Sequence, residues 1–276
     1  MNPWINAAGF LALSAAVTLF LRHRKRRDAM YRALSADCAA PGQLPVIEIA
    51  ARDDASDAQN YAAAFGAQAL VRIEEFASPS TLAALRDEAV SSIPWMEHSC
   101  LPLHKRGNTL SYENILRRAP HCLSFYHNPS VQHWVSAMTG AAVLPTPLRD
   151  QSSLSILCYR DAGDHINWHY DHNFYRGRHF TVLLSLVNRA RGGGPSASRL
   201  ERQRCDGTAE TIDTSENTLV VFEGARVRHR ATATADGDLR IILSMTYCTD
   251  PRIGSFREAI RRVKDTAFYG IRALWD

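Results

Sequence analysis

Between residues 153 and 250 the chain breaks into short runs of strand character: LSILCY (154–159), FTVLLSLV (180–187), NTLVVF (217–222), VRHRATA (227–233) and LRIILSMTY (239–247). Gly, Pro, Asn and Asp separate them. Short strands at this spacing call for a sandwich or barrel and exclude alternating βαβ units. Upstream, residues 70–76 alternate as a strand should. Ser78 and Pro79 then give the cap and first turn of a helix carrying Leu82, Leu85 and Ala89 on one face. Residues 131–139 read as a second helix, closed by Gly140. Ile253, Phe256, Ile260, Val263, Phe268, Ile271 and Leu274 give residues 251–276 the stripe of an amphipathic helix, expected to cap the β layer through its apolar side. The fold class expected is α+β, mainly β. At 276 residues and 46% hydrophobic, the chain has ample material for a core.

The N-terminus follows a different rule. Residues 1–21 carry no charged side chain, and residues 5–21 read INAAGFLALSAAVTLFL before the basic cluster RHRKRR. Seventeen helical residues reach roughly 26 Å, near the lower limit for crossing hydrocarbon. Positive charge after the apolar run, not before it, argues for an uncleaved anchor. The expectation is a transmembrane helix over residues 1–21, a basic cluster and linker over 22–60, and a domain over 61–250 facing the cytoplasm. Such a single-pass membrane protein would act on a lipid, a lipid-linked molecule or another small-molecule substrate.

Charge narrows the partners further. The formal net charge is +4, and Arg22, Arg24, Lys25, Arg26 and Arg27 supply five positive charges, so everything else carries −1. A fold without surplus positive charge does not advertise nucleic-acid binding. The six cysteines form no CxxC pair, which disfavours a zinc ribbon or a dithiol redox site and reads as reduced thiols.

The chemistry concentrates in DHINWHYDHNFYRGRHF (164–180), where His165, His169, His172 and His179 crowd together. Only His169 is followed two residues later by Asp, at Asp171, and in extended chain positions i and i+2 share a face. A distant His229 and an Arg240 inside an otherwise apolar strand complete a pattern. Asp236-Gly237 is a strong hairpin signal; centred there, His229 would face Ser244, Arg240 would face Ala233, and both would project to one side. Two His and one Asp make a facial triad that leaves three positions of an octahedral Fe(II) open for a chelating cosubstrate and O₂. A guanidinium beyond the metal offers a bidentate fork to a carboxylate.

With these residues in place the sequence resembles the iron(II)/2-oxoglutarate-dependent oxygenases, most closely their prolyl-4-hydroxylase-like branch. ALVRIEEFASPSTLAALRDEA resembles that family's opening strand and helix, Tyr159 and Gly163 its approach to the first ligands, LLSLVNRARGGG the strand and glycine loop after them, and NTLVVFEGARVRHRATATADGDLRIILSMTY its closing strands. The likeness spans roughly residues 65–250. It implies a double-stranded β-helix, or jelly roll, with its core at about 150–250. It also implies Fe(II) on His169, Asp171 and His229, with 2-oxoglutarate held through its distal carboxylate by Arg240 and by Tyr159. O₂ and 2-oxoglutarate would then drive hydroxylation of a C–H bond, with ascorbate compatible as a reductant.

Two departures bear on the substrate. Prolyl hydroxylases carry Lys where this chain has Arg240, and SASRLERQRCDG does not match their usual acidic continuation, which weakens a peptidyl-proline substrate. Asp171 occupies the position that halogenating relatives leave to Gly or Ala. The readings from other classes are a silent jelly-roll scaffold at the membrane and a nucleic-acid or protein demethylase. Trp168, Asn173, Tyr175 and Arg178 flank the ligands as candidates for the pocket wall or for support. Oligomeric state is left open by the sequence.

Overall fold

The computed structural model describes residues 44–50 and 55–269, with isolated positions between 18 and 33. In chain order its elements are α1 (Ala55–Gln68), β1 (Leu70–Ile73), α2 (Pro79–Ser91), β2 (Glu97–Leu101), β3 (Lys105–Leu110), α3 (Tyr112–Arg118), α4 (Pro120–His127), α5 (Pro129–Thr139) and β4 (Leu144–Pro145). There follow β5 (Leu154–Tyr159), β6 (His165–His169), β7 (His179–Arg189), β8 (Leu200–Gln203), β9 (Ala209–Ile212), β10 (Leu219–Phe222), β11 (His229–Ala231), β12 (Leu239–Cys248) and α6 (Ser255–Tyr269).

The strands form one curled antiparallel sheet in the order β1-β10-β7-β12-β5-β3-β6-β11-β8-β9, with β2 beside β3 and β4 beside β12. This mainly β architecture with flanking helices is consistent with a jelly roll. The sheet turns its corner at β3: Asn108, Thr109 and Leu110 pair with β5, whereas Lys105 and Arg106 pair with β6. Gly107 sits at that corner against the Tyr159 ring, where an added Cβ would stand 3.3 Å from Cδ1.

Period-two alternation divides the long strands between two environments. On β12, Ile241, Leu243, Met245 and Tyr247 face the helices, as do Phe180, Val182 and Leu184 of β7 and Leu154, Ile156 and Cys158 of β5. They pack with Phe76, Leu85, Phe125, Trp134 and Met138 into the main core. Burying each such side chain is worth about 1.5–3 kcal/mol. The alternate residues, Arg240, Ile242, Ser244 and Thr246 of β12, Thr181 and Leu183 of β7, and Ser155, Leu157 and Tyr159 of β5, line the space inside the curl. The helices that were legible in sequence close as expected. Ser78 Oγ accepts from the Thr81 N–H at the start of α2, and Gly140 adopts a left-handed φ of 63° after α5.

Four expectations are corrected or relocated. Among the described residues no helix is long and apolar enough to cross a membrane, which overturns the single-pass, cytoplasm-facing placement. Residues 1–17 lie outside the described part. Within the stretch read as linker, α1 begins at Ala55, and residues 44–49 contribute only the bridge between Ile49 and Ala77. Asp236-Gly237 does turn, with φ 75° at Gly237, yet β11 and β12 do not pair. The chain crosses there between the two halves of the curl, so β11 joins β6 and β8 while β12 joins β5 and β7. Finally, α6 docks with the reverse of the expected polarity. Arg261 and Asp265 are buried, whereas Phe256 and Val263 are 79% and 66% exposed. Charged anchors override the apolar stripe, because Arg261 bonds Glu258, Asp265 and the Arg149 carbonyl.

Candidate metal centre

Register alone brings the two distant histidines together: His229 of β11 stands opposite His169 of β6, with ring centroids 4.2 Å apart. Each ring is oriented by its own backbone neighbourhood. His169 Nδ1 bonds the Asn167 carbonyl at 2.7 Å and His229 Nδ1 the Val227 carbonyl at 3.0 Å. The Nε2 atoms are left to aim at a common point. Tautomer control of this kind, through the ring nitrogen that faces away, is the usual support of a metal-binding imidazole.

Asp171 follows the end of β6 and lies against the end of β10, its N–H bonding the Gly224 carbonyl at 3.0 Å. Gly224 must be glycine here, because an added Cβ would stand 2.6 Å from Asp171 Cβ. Thr181 Oγ1 donates to Asp171 Oδ2 at 2.5 Å. The other oxygen, Oδ1, then faces His169 Nε2 at 3.6 Å and His229 Nε2 at 3.9 Å. One ligand atom from each of the three residues lies within 4.8 Å of the others. Although burial opposes it, the two imidazoles and the Thr181 hydroxyl hold the Asp171 carboxyl far below the ordinary carboxylate range. Burial lowers His229, whereas His169 is raised despite burial by its hydrogen bond to Asp171. An ionised carboxylate between two imidazoles is a donor set for a borderline divalent ion such as Fe(II).

Two chambers meet at this cluster. The inner one, about 120 Å³, is lined by Tyr159, Leu183, Leu200, Arg240 and Ile242 beside the triad. Arg240 is fully buried. Its Nη1 and Nη2 reach only Ser198 Oγ at 3.4 Å and Thr214 Oγ1 at 3.2 Å, and its Nε meets no hydrogen-bond partner. Among the described residues no carboxylate pairs with it. A buried cation left in this condition costs several kcal/mol unless an anion joins it. Tyr159 stands opposite Arg240 in register, and burial pushes its phenol pKa up, so it is a neutral donor.

The outer chamber, about 390 Å³, runs from the triad past Leu101, Leu157 and Ile166 to Lys105, Asp150 and Lys264. The structure brings the triad, Arg240 and Tyr159, all singled out from the sequence, together around one cavity. Sequence reasoning missed His104, Lys105, Asp150, Thr181, Gly224 and Lys264. Thr181 carried a readable signal, a polar residue within the largely apolar run FTVLLSLV of β7. Lys105 and Lys264 carried none, because the corner at Gly107 and the inverted docking of α6 are tertiary facts. Of the flanking candidates, none lines the chamber: Trp168 stacks under Arg230 at 4.5 Å, Asn173 bonds Gly177, Arg178 pairs with Glu223, and Tyr175 donates to Asp150. His172 and His179 do line it.

No family model and no curated protein matches this chain. Solved structures do. The chain is similar to the non-heme alpha ketoglutarate dependent epimerase SnoN from nogalamycin biosynthesis, with 12% identity over 71% of this chain and 82% of that one and a TM-score of 0.59. A Pseudomonas putida prolyl-4-hydroxylase matches at 14% identity, 70% and 98% coverage and TM-score 0.54. An oxidoreductase of the 2OG-Fe(II) oxygenase family from Burkholderia pseudomallei matches at 16% identity, 77% and 98% coverage and TM-score 0.52. The chain therefore has the fold of the 2OG-Fe(II) oxygenases.

Proposed function

We propose that this chain is an iron(II)/2-oxoglutarate-dependent oxygenase on a double-stranded β-helix, oxidising a C–H bond of a small-molecule substrate, with hydroxylation the default outcome. One observation carries this reading: a His-Asp-His cluster and a buried guanidinium without a carboxylate open onto the same small chamber. Iron bound at the cluster supplies the coupled conversion of 2-oxoglutarate and O₂ to succinate, CO₂ and an oxidised substrate.

The protein's share is positioning. His169, Asp171 and His229 hold the metal and leave half of an octahedral shell for cosubstrate and O₂. Arg240 holds the distal carboxylate of 2-oxoglutarate, relieving its own uncompensated burial, and Tyr159 donates its hydroxyl to the same group. Ile242, Leu183 and Leu200 exclude water around the cosubstrate, which strengthens the charge pairing. The outer chamber, about 390 Å³, admits the substrate, in a size range suited to a small molecule.

The test is succinate formation from 2-oxoglutarate by the iron-loaded full chain on admission of O₂. Wild type is expected to release succinate even without substrate, slowly, and His169→Ala to release none. Equal succinate from both would remove the metal assignment. Absence of succinate from a wild type that binds iron would favour a jelly roll that only binds.

A further inference from the structure

His179 begins β7 and lines the outer chamber, with only 6% of its surface exposed. Its Nδ1 is sealed from solvent and has no hydrogen-bond partner. No described residue bonds Nε2 either, which leaves that nitrogen as the ring's polar contact with the chamber. Burial holds the imidazole below its ordinary pKa although Asp171 and Asp150 pull the other way, so the ring is neutral, with one donor and one acceptor nitrogen. Buried polar groups are hydrogen-bonded as a rule, and a group that breaks the rule at a cavity wall calls for a partner from the cavity.

The ring is held in place without being satisfied. Its face stacks on Tyr175, with ring centroids 6.1 Å apart and an interplanar angle of 17°. Tyr175 is anchored in turn, because its hydroxyl donates to Asp150 at 2.5 Å. Asp150 also accepts from Ser152 N and Oγ at 3.1 and 2.9 Å, and it faces Lys264 and Arg261. Lys264 Nζ lies 2.9 Å from Asp265 Oδ1, and Arg261 bonds the other oxygen of the same carboxylate. Asp150, Asp265, Arg261 and Lys264 thus answer one another and fix α6 on the sheet. Behind His179 the wall is rigid and its charges are paired. Leu101, Leu157 and Ile166 give the chamber an apolar side.

The strand sets the distance to the metal cluster. His179 and Thr181 are two residues apart on one face of β7, roughly 7 Å, and Thr181 bonds Asp171. We propose that His179 is a specificity-determining residue of the outer chamber: it binds a hydroxyl group of a neutral small molecule whose apolar body lies against Leu101, Leu157 and Ile166. This rests on the oxygenase reading for calling that molecule a substrate, while the subsite itself rests on the chamber alone. A hydroxyl both donates and accepts, so it meets Nε2 in either tautomer of the ring. A charged group in the same place would shed its hydration beside a neutral imidazole, which is costly. Anchored at the hydroxyl and along the apolar side, the molecule is fixed at two points, and its shape then selects the carbon that is presented to the triad.

The experiment is calorimetric titration of the full chain, without added metal, with three probes of similar shape: 3-phenylpropan-1-ol, butylbenzene, in which a methyl group replaces the hydroxyl, and 4-phenylbutyrate. The ratio of alcohol to hydrocarbon affinity is expected to fall about fivefold from wild type to His179→Phe, the magnitude of one neutral hydrogen bond. It should be kept in His179→Gln, whose amide supplies a donor and an acceptor in place of the ring. A ratio unchanged in His179→Phe overturns the subsite, as does a tighter fit of 4-phenylbutyrate than of the alcohol that depends on His179. Should His179→Phe fail to fold, nitrogen NMR of wild type carrying labelled histidine replaces it, with the His179 signals assigned by their loss in His179→Gln. The alcohol is expected to shift Nε2 where butylbenzene does not, and an Nε2 signal unmoved by saturating alcohol contradicts the subsite. Succinate formation by the iron-loaded protein separates the two claims. Succinate without a His179-dependent ratio removes the subsite alone, and a His179-dependent ratio without succinate removes the oxygenase reading alone.

Discussion

The two chambers on either side of the triad solve the problem of buried positive charge differently. In the outer one, Lys264 is answered from within the protein by Asp265 and Asp150, which also lock α6 in place. In the inner one, Arg240 is answered by two hydroxyls at 3.2–3.4 Å and by nothing at Nε. A charge satisfied internally contributes to the fold, whereas a charge left to a ligand costs stability until that ligand arrives. On the proposed reading the inner chamber is a site left for an anionic ligand, whereas the outer chamber is walled by a charge network that is balanced within the protein.

The sharpest way to break this contrast is at Arg240. Replacing it by Met should lower affinity for 2-oxoglutarate by about 100-fold, in line with losing two charge-assisted bonds. The same change should stabilise the ligand-free protein by about 1–3 kcal/mol, as expected when a poorly compensated buried charge gives way to an apolar side chain. Calorimetry and denaturant melts read the two effects, and their opposite signs are the diagnostic. A variant that loses both affinity and stability would show that Arg240 is a structural residue.

Next in size is Gly224, which makes room for Asp171. Gly224→Ala pushes a methyl group against that side chain, and iron affinity should fall by about 10–100-fold, the range seen for groups that orient ligands. Metal titration monitored by competition with a chelator measures the effect.

The smallest effect belongs to Lys105 in the ligand-free protein. Its pKa lies near 8 in the folded chain against 10.5 when unfolded, so the unfolded state binds the extra proton between those values and stability rises with pH across that window. Relative to Lys105→Met, wild type should gain about 1.4 kcal/mol between pH 7 and pH 9, one pKa unit of linkage. Below pH 8 the full cost of the charged form remains. A difference between the two proteins that does not change with pH would mean that Lys105 titrates as an ordinary surface lysine.

The inner chamber was largely legible in sequence and the outer one was not, for a physical reason. Strand alternation placed Tyr159, Arg240 and the ligands on inward faces, and the H-x-D spacing joined His169 to Asp171 without further help. Even the mistaken Asp236-Gly237 hairpin led to a correct neighbourhood, because β11 and β12 face each other across the cavity instead of pairing edge to edge. The outer chamber depends on where the sheet bends and how α6 docks. A kink at Gly107 aims Lys105, and a buried Arg261–Asp265 pair turns the apolar stripe of α6 outward and Lys264 inward. Periodicity reports which residues share a face of an element, and it is silent on which face the rest of the protein selects. For α6 the hydrophobic pattern pointed to the wrong one.

The central claim is that one ligand spans metal and guanidinium, and the most direct test is 2-oxoglutarate binding to the full chain in the absence of O₂, with and without Fe(II). Chelation at the metal end should tighten binding by at least about tenfold over that of Arg240 alone, and His169→Ala should abolish the iron-dependent part while leaving the weak Arg240-dependent part. Binding of the same strength with and without iron would contradict the account.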